Sequence, residues 1–347
     1  MLETRESGFF LREKTIKPCK AFTLLALQCN ARLSHGQIMK ELCRPLSTIA
    51  HSNIHWSKSM PGPISSTTPS PRFNISDSYQ TDLGRYIRDV EKSLDSGTWT
   101  TSSFAKLDKE FIPGLVASAN TSKPGLNLTY ANDARELSDK VLAAFHKGSE
   151  SERYIVNMGN DGIHFAVFDY RQIEGKPSVL MFEPANFNST GPMFLAFRAK
   201  SALDQLSSHN ICFSMMEMDI QRSGSECAIF SLALAKKLFK EHPAVSELHQ
   251  MNAAGAIPSS NGFFSSSIES DQLIPPSLYK HTQGRGRLER YIAAQPGRDT
   301  QVVNKKGETL LERQQQHLEN VGGKEIVNSI HQKRLEELKL LMQSISS

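Results

Sequence analysis

One stretch limits the possible folds more than any other. In Gln221-Arg-Ser-Gly-Ser-Glu-Cys227-Ala-Ile-Phe-Ser-Leu-Ala-Leu-Ala-Lys-Lys237 a polar loop gives way to a run that is apolar on nearly every side. Ala228, Ile229, Phe230, Leu232, Ala233, Leu234, Ala235 and Leu238 leave no polar face, so the pattern predicts a helix buried in the core. Cys227 then stands at the helix N-terminus, where unpaired amide donors and the positive end of the helix dipole favour a thiolate. The competing reading is a small hydrophobe, because free cysteine is among the most buried residue types.

A nucleophilic cysteine needs a base and a group to orient that base. Gly162-Ile-His164-Phe-Ala-Val-Phe-Asp-Tyr-Arg171 is a short run of strand formers, followed by Glu174-Gly175-Lys176-Pro177 and then Ser178-Val-Leu-Met-Phe-Glu183-Pro184. This is the pattern of a β-hairpin. With the turn centred near Ile173 and Glu174, Tyr170 pairs with Pro177 and His164 falls directly opposite Glu183. Opposed Cβ atoms in an antiparallel pair lie roughly 5 Å apart on one face, close enough for a carboxylate to hold an imidazole in one tautomer. A slip of one residue would put the two on opposite faces. Taken singly, His164 reads as a core histidine, Glu183 as a strand-end charge and Gln221 as a surface amide. Taken together, Gln221 and the backbone N–H of Cys227 supply two donors for a developing oxyanion.

The chain order His164, Glu183, Gln221, Cys227 resembles that of the ubiquitin-like-protease clan of cysteine peptidases. Gly162-Ile-His164-Phe, Phe182-Glu183-Pro184-Ala185, the Gln221–Lys237 stretch and Tyr279-Lys280-His281-Thr282-Gln283-Gly284 are similar to blocks of the YopJ family of type III secretion effector acetyltransferases. The likeness spans roughly residues 80 to 315. Ala228 stands where many relatives carry glycine, so a small residue is kept.

The resemblance implies an α+β fold, with a central mixed sheet flanked by helices in a ubiquitin-like-protease type core and a helical regulatory region beside it. It implies a Cys227-His164-Glu183 triad with Gln221 at the oxyanion, and transfer of acetyl from acetyl-coenzyme A to serine, threonine or lysine of host proteins. It further implies inositol hexakisphosphate as an allosteric activator. By position, Arg85, Arg88, Lys280, His281, Gln283, Arg287 and Arg290 are the candidate contacts, with Lys305 and Lys306 adding charge nearby. Lys280 is also a candidate for self-acetylation. Partners implied are host signalling proteins, either mitogen-activated protein kinase kinases or plant immune proteins, and a type III secretion chaperone, with the protein secreted into the host cell cytoplasm. Two other functions use the same residues differently: a cysteine protease of ubiquitin-like conjugates, and a non-catalytic module that binds a host kinase.

Composition sets the remaining bounds. The 347 residues with 39% apolar content suffice for a core, and a net charge of +4 is too modest to call for nucleic acid. Five cysteines, Cys19, Cys29, Cys43, Cys212 and Cys227, form no CxxC pair, so neither a zinc site nor a disulfide framework is indicated. No apolar run approaches the roughly 20 residues of a membrane span. Ala21 to Cys29 is too short and too charged in its flanks for a signal peptide, and Leu2 replaces the glycine that N-myristoylation needs.

Three regions are expected: 1–80, a disordered secretion and chaperone-binding region rich in Ser, Thr and Pro near its end; 81–250, the catalytic core; and 251–347, a regulatory region. Helices are predicted from about Asp82 to Leu94, from Ser103 to Ala119 with a break at Ile112-Pro113, over Asp133 to His146, and over Pro192 to Ser207 with Phe194 and Phe197 facing in. Strands are predicted at 126–129, 154–158, 163–170, 178–183 and 211–218. Met251 to Gln272 reads as an inserted loop, and Glu325 to Ile345 as a closing amphipathic helix.

Overall fold

In the computed structural model, which describes residues 76–259 and 262–346, the strand-forming runs pair in chain order. Helices α1 (Asp77–Asp95) and α2 (Ala105–Ser122) lead into strand β1 (Leu128–Ala131) and helix α3 (Ala134–Lys147). Strands β2 (Ser151–Asn157), β3 (Phe165–Ile173) and β4 (Lys176–Glu183) follow, then helix α4 (Thr190–Asp204) and strand β5 (Cys212–Glu217). Next come α5 (Cys227–Lys240), α6 (His242–Ala253), β6 (Phe264–Ser265), α7 (Ser267–Asp271), α8 (Arg285–Ala293) and α9 (Leu310–Gln316). A hairpin of β7 (Leu318–Val321) and β8 (Lys324–Val327) and the helix α10 (Ser329–Ser346) close the chain. The expected secretion region, 1–80, lies outside the described residues up to 75.

The six-stranded sheet runs β1-β2-β3-β4-β5-β6, antiparallel at β2–β3 and β3–β4 and parallel elsewhere. This is the mixed α+β sheet expected. Both faces are covered, which is why β3 and β4 are almost continuously buried instead of alternating. Ile155, Phe165, Val167, Leu180, Phe182 and Met216 pack with the apolar helix α5 on one face. Tyr154, Val156, Phe168, Val179 and Met181 pack with α3 and α4 on the other. Helix α6 is fastened by a buried polar cluster, in which His249 bonds Asp169 at 2.9 Å and Ser178 at 2.8 Å. No helix among the described residues is long and apolar enough to cross a membrane.

Several local expectations need correction. The β3–β4 turn is centred on Glu174 and Gly175, not on Ile173 and Glu174, so Gln172 pairs with Pro177 and Tyr170 with Val179. Both turn residues have positive φ, +50° and +79°, the pattern of a two-residue turn whose twist matches that of the strands. Pro113 does not break α2. An interior proline costs about 3 kcal/mol, but Phe111, Ile112, Leu115 and Val116 around it are buried and each contributes about 1.5–3 kcal/mol. Helix α1 begins at Asp77, where the Ser76 hydroxyl caps it by accepting from the Tyr79 N–H at 3.3 Å.

On α4, Phe194 and Phe197 are each 42% exposed, while Leu195, Ala196 and Ala199 face the sheet. Part of the 251–272 segment is ordered structure: β6 adds to the sheet beside β5, and a capping box on Ser266 and Glu269 starts α7. The last helix starts at Ser329, since 324–327 are paired in the β7–β8 hairpin.

Candidate active site

The site lies at the end of the sheet where β3 begins and β4 and β5 finish. Because the hairpin register differs from the expected one by two residues, His164 sits diagonal to Glu183 rather than opposite it. An even shift keeps both on one face, and His164 Nε2 meets Glu183 Oε2 at 2.9 Å. The other carboxylate oxygen accepts the Ala185 N–H at 2.9 Å, so Glu183, with no exposed surface, is held at both oxygens.

The loop before His164 is pinned from two sides. Asn157 Nδ2 donates to the carbonyls of Gly162 and His164 at 3.0 Å each, and Lys109 Nζ donates to those of Asn160 and Gly162 at 2.9 Å each. Gly191, at the start of α4, lies so close that an added Cβ would stand 3.2 Å from the imidazole Cγ. Asn157, Lys109 and Gly191 carry no chemical signature in the sequence. Only their placement in the fold reveals them.

Glu183 takes one ring nitrogen, which leaves Nδ1 for the Cys227 thiol, near enough to act on the charge of the ring. Burial works against a charged imidazole, but the Glu183 carboxylate hydrogen-bonded to the ring and the nearby Cys227 outweigh it, and the His164 pKa is raised. Gln221 completes the cluster, with Nε2 donating to Cys227 Sγ at 3.2 Å and to the Ser223 carbonyl at 2.5 Å. Its backbone N–H is held by the Pro184 carbonyl at 2.9 Å, which ties the Gln221 loop to the residue after Glu183. The four residues are at most 7% exposed.

The loop from Gln221 to Glu226 is also held from the C-terminal part of the chain. Arg334 of α10, with no exposed surface, donates from Nη2 to the Ser225 carbonyl at 3.1 Å and to Asp108 Oδ2 at 2.8 Å. Tyr86 of α1 donates to the same aspartate at 2.6 Å. Thus α1, α2 and α10 meet two residues before Cys227.

The opposite end of α5 borders a cavity of about 330 Å³. From Cys227 to Lys237 is ten residues, about 15 Å along the helix. Seven cationic side chains line the cavity, Lys237, Lys240, Lys280, Lys305, Lys306, Arg313 and Lys333, against one carboxylate, Glu336. Burial lowers the pKa of Lys237 and of Lys280 to about 8, aided by Lys240 beside the first and Arg313 beside the second. His281, buried and bonded to Ser329 at 2.7 Å, is pushed well below the usual histidine value by burial and then by Lys280. So many like charges in one depression call for an anion.

Of the expected ligand residues, Lys280, His281, Lys305 and Lys306 come together there. The others do not line this cavity. Arg287 is 2% exposed and spends its guanidinium on Asp271, at 2.6 and 2.8 Å, and on the Met218 carbonyl. Gln283 is bonded to the Arg222 N–H at 2.6 Å. Arg290 leans toward Asp219 at 3.6 Å, and Arg85 pairs with Asp82 on the exposed side of α1, which also carries Arg88. Lys237 and Lys240 end a helix whose pattern is otherwise apolar, and the signal that could find them is two lysines three apart at a helix C-terminus. Arg313 and Lys333 were too dispersed along the chain to cluster in sequence.

The fold and the site define an α+β protein in which a cysteine, a histidine, a glutamate and a glutamine meet at one end of the sheet, with a polycationic cavity at the far end of α5. Comparison with known proteins narrows the class. Residues 83–340 match the family described as YopJ serine/threonine acetyltransferase. The chain is 42% identical to the serine/threonine-protein acetyltransferase YopJ of Yersinia pestis over 265 residues, 76% of this chain and 91% of that protein. It therefore belongs to the YopJ serine/threonine acetyltransferase family. Among solved structures, AvrA delL154 with IP6 and CoA is 41% identical, with a TM-score of 0.72 over 76% of this chain and 98% of that one. HopZ1a in complex with IP6 shares the fold at 22% identity, with a TM-score of 0.62 over 77% and 97% of the two chains.

Proposed function

We propose that this chain is an acetyltransferase that works through an acetyl-Cys227 intermediate, with acetyl-coenzyme A as donor and serine, threonine or lysine side chains of host signalling proteins as acceptors. The observation that carries this is the convergence of two buried hydrogen-bonded pairs, His164 with Glu183 and Gln221 with Cys227, far apart in sequence, at one end of the sheet. Family membership supplies the reaction class.

His164 holds the thiol proton, with Glu183 fixing the ring. The Cys227 sulfur attacks the thioester carbonyl, and its oxygen gains charge against the Gln221 amide and the Cys227 N–H. The carbon–sulfur bond to coenzyme A breaks, and the His164 imidazolium returns the proton to the leaving thiolate. An acceptor hydroxyl or amine then attacks acetyl-Cys227, giving its proton to His164 as the cysteine departs. Exchanging one thioester for another is chemically easy, so positioning and exclusion of water are the main contributions.

Inositol hexakisphosphate fits the polycationic cavity by charge, with Lys237, Lys240, Lys280, Lys305, Lys306 and Arg313 as its holders. Bound there, it supplies negative charge that relieves their mutual repulsion and orders the elements around the cavity. Residues 81–250 carry the reacting groups, and 251–347 supply most of the cavity and serve as the regulatory region. Delivery by type III secretion to the host cytoplasm, with a chaperone for the first 80 residues, accompanies this function.

The test is transfer of radiolabel from acetyl-coenzyme A to the full chain and to a kinase substrate, with and without inositol hexakisphosphate. Label should appear on Cys227 and on the substrate, depend on the polyanion, and vanish in Cys227→Ala. Absence of label with concurrent cleavage of a ubiquitin-like conjugate would replace the transferase with a protease.

A further inference from the structure

The sequence marks Gln283 as one of several polar residues in a basic segment, but its side chain faces the active-site loop. Gln283 is 8% exposed. Its Oε1 accepts the Arg222 N–H at 2.6 Å and the Ser223 N–H at 3.3 Å, and its Nε2 donates to the Ser223 hydroxyl at 3.3 Å. Its own backbone N–H bonds the Ile220 carbonyl at 3.0 Å. One residue therefore spans the loop from 220 to 223.

The carbonyl of Ser223 is the atom that accepts the second N–H of the Gln221 amide, at 2.5 Å, while the first points at Cys227 Sγ. Where Ser223 sits decides where the Gln221 amide points. Gly284, next in sequence, lies against Arg222, and an added Cβ there would stand 3.0 Å from the guanidinium. The contact between the two segments is therefore tight at Gln283 and just after it.

The same short segment reaches the cationic cavity. Lys280 and His281 line it, and the Thr282 carbonyl accepts from Gln314, the neighbour of the cavity-lining Arg313. Two residues thus separate Lys280 in the cavity from the side chain that sets the Gln221 loop. We propose that Gln283 is a positioning residue, through which the cavity and its anion set the aim of the Gln221 oxyanion donor. This rests on the function proposed above and adds to it the physical link between the anion and the acyl-transfer step.

Two reactions of the same sulfur separate this role from a merely structural one. Attack on acetyl-coenzyme A builds an oxyanion, whereas alkylation by iodoacetamide at the CH₂ carbon does not. In Gln283→Leu, with inositol hexakisphosphate saturating, single-turnover acetylation of Cys227 should fall roughly 10- to 100-fold. Alkylation of Cys227 and the affinity for inositol hexakisphosphate by calorimetry should stay within about twofold of wild type. Gln283→Glu keeps an acceptor for the Arg222 and Ser223 N–H groups and should recover most of the acetylation rate.

Undiminished acetylation in Gln283→Leu would overturn the proposal, as would equal losses of acetylation and alkylation, or failure of Gln283→Glu to recover. A wild-type chain that takes no acetyl on Cys227 would instead overturn the proposed function itself, and this role with it.

Discussion

Removing the Asp108 carboxylate tests how the terminal helix is joined to the body. Asp108 is fully buried and accepts from Arg334 Nε at 3.1 Å, from Arg334 Nη2 at 2.8 Å and from the Tyr86 hydroxyl at 2.6 Å. In Asp108→Ala the guanidinium of Arg334 stays buried without its paired carboxylate. Breaking a buried ion pair from one side costs about 3–5 kcal/mol. The orphaned tyrosine hydroxyl adds about 1–3 kcal/mol if counted alone, but the groups share one partner, so the sum is not additive. Glu226, 3.8 Å from the guanidinium, offsets part of the loss. The net expectation is a loss of about 3–5 kcal/mol, a large share of the roughly 5–15 kcal/mol that holds a protein folded.

Removing both partners should cost less than removing one. Asp108→Leu with Arg334→Met removes both members of the pair, and buried ion pairs replaced by apolar groups are often neutral within a few kcal/mol. Equilibrium urea unfolding of the full chain measures both variants. Trp99, buried against His331 at a ring separation of 4.5 Å, reports on α10 through its fluorescence. A loss below about 1 kcal/mol in Asp108→Ala, or a double variant as unstable as the sum of the singles, would refute the account of Arg334 as a buried cation dependent on Asp108.

Three further outcomes are expected. Gly191→Ala should leave stability unchanged or slightly raised, because alanine gains about 1 kcal/mol in a helix, yet slow Cys227 acetylation several-fold, because its Cβ presses on His164 at 3.2 Å; calorimetric melting and single-turnover rates check the two halves. Glu183→Gln should lower the His164 pKa, since the carboxylate is what raises it against burial, and cut turnover roughly 10²- to 10⁴-fold through loss of the correct tautomer; NMR titration of the imidazole and the acetylation rate measure these. In the cationic cavity Lys237 and Lys280 titrate at about 8, below the usual 10.5. The unfolded chain holds those protons more tightly, so their penalty on the fold is full below pH 8 and fades as pH rises toward 10.5. A bound polyanion restores the higher values. Binding of inositol hexakisphosphate should therefore take up roughly one proton near pH 8 and weaken from about pH 7 to about pH 9, as calorimetry in buffers of different ionisation enthalpy would register.

What the sequence discloses and what it withholds divide along one physical line. The helix after Cys227, the strands from 151 to 217 and the His164–Glu183 pairing are legible because periodicity and strand parity are local properties. Even a turn misplaced by one residue moves the register by two and leaves both side chains on the same face. Charge is different, since its meaning depends on a partner that periodicity cannot supply. Arg287 looks like a phosphate ligand until Asp271, sixteen residues earlier, is found beside it, and Lys237 looks like a solvated helix end until Lys280 and Arg313 are found beside it.

The same line explains the exposed aromatics of α4. Hydrophobicity alone points Phe194 and Phe197 inward, yet the helical face is set by the smaller Leu195, Ala196 and Ala199, which let α4 approach the sheet. Close approach also requires Gly191 at the point where α4 touches His164. The residues that align the reacting groups are thus mostly small, amide-bearing or fully paired, and have no chemical signature of their own. For that reason His164, Glu183, Gln221 and Cys227 can be named from one sequence, whereas Asn157, Gly191 and Arg334, which pack against or pin the segments that carry them, become visible only when the chain is folded.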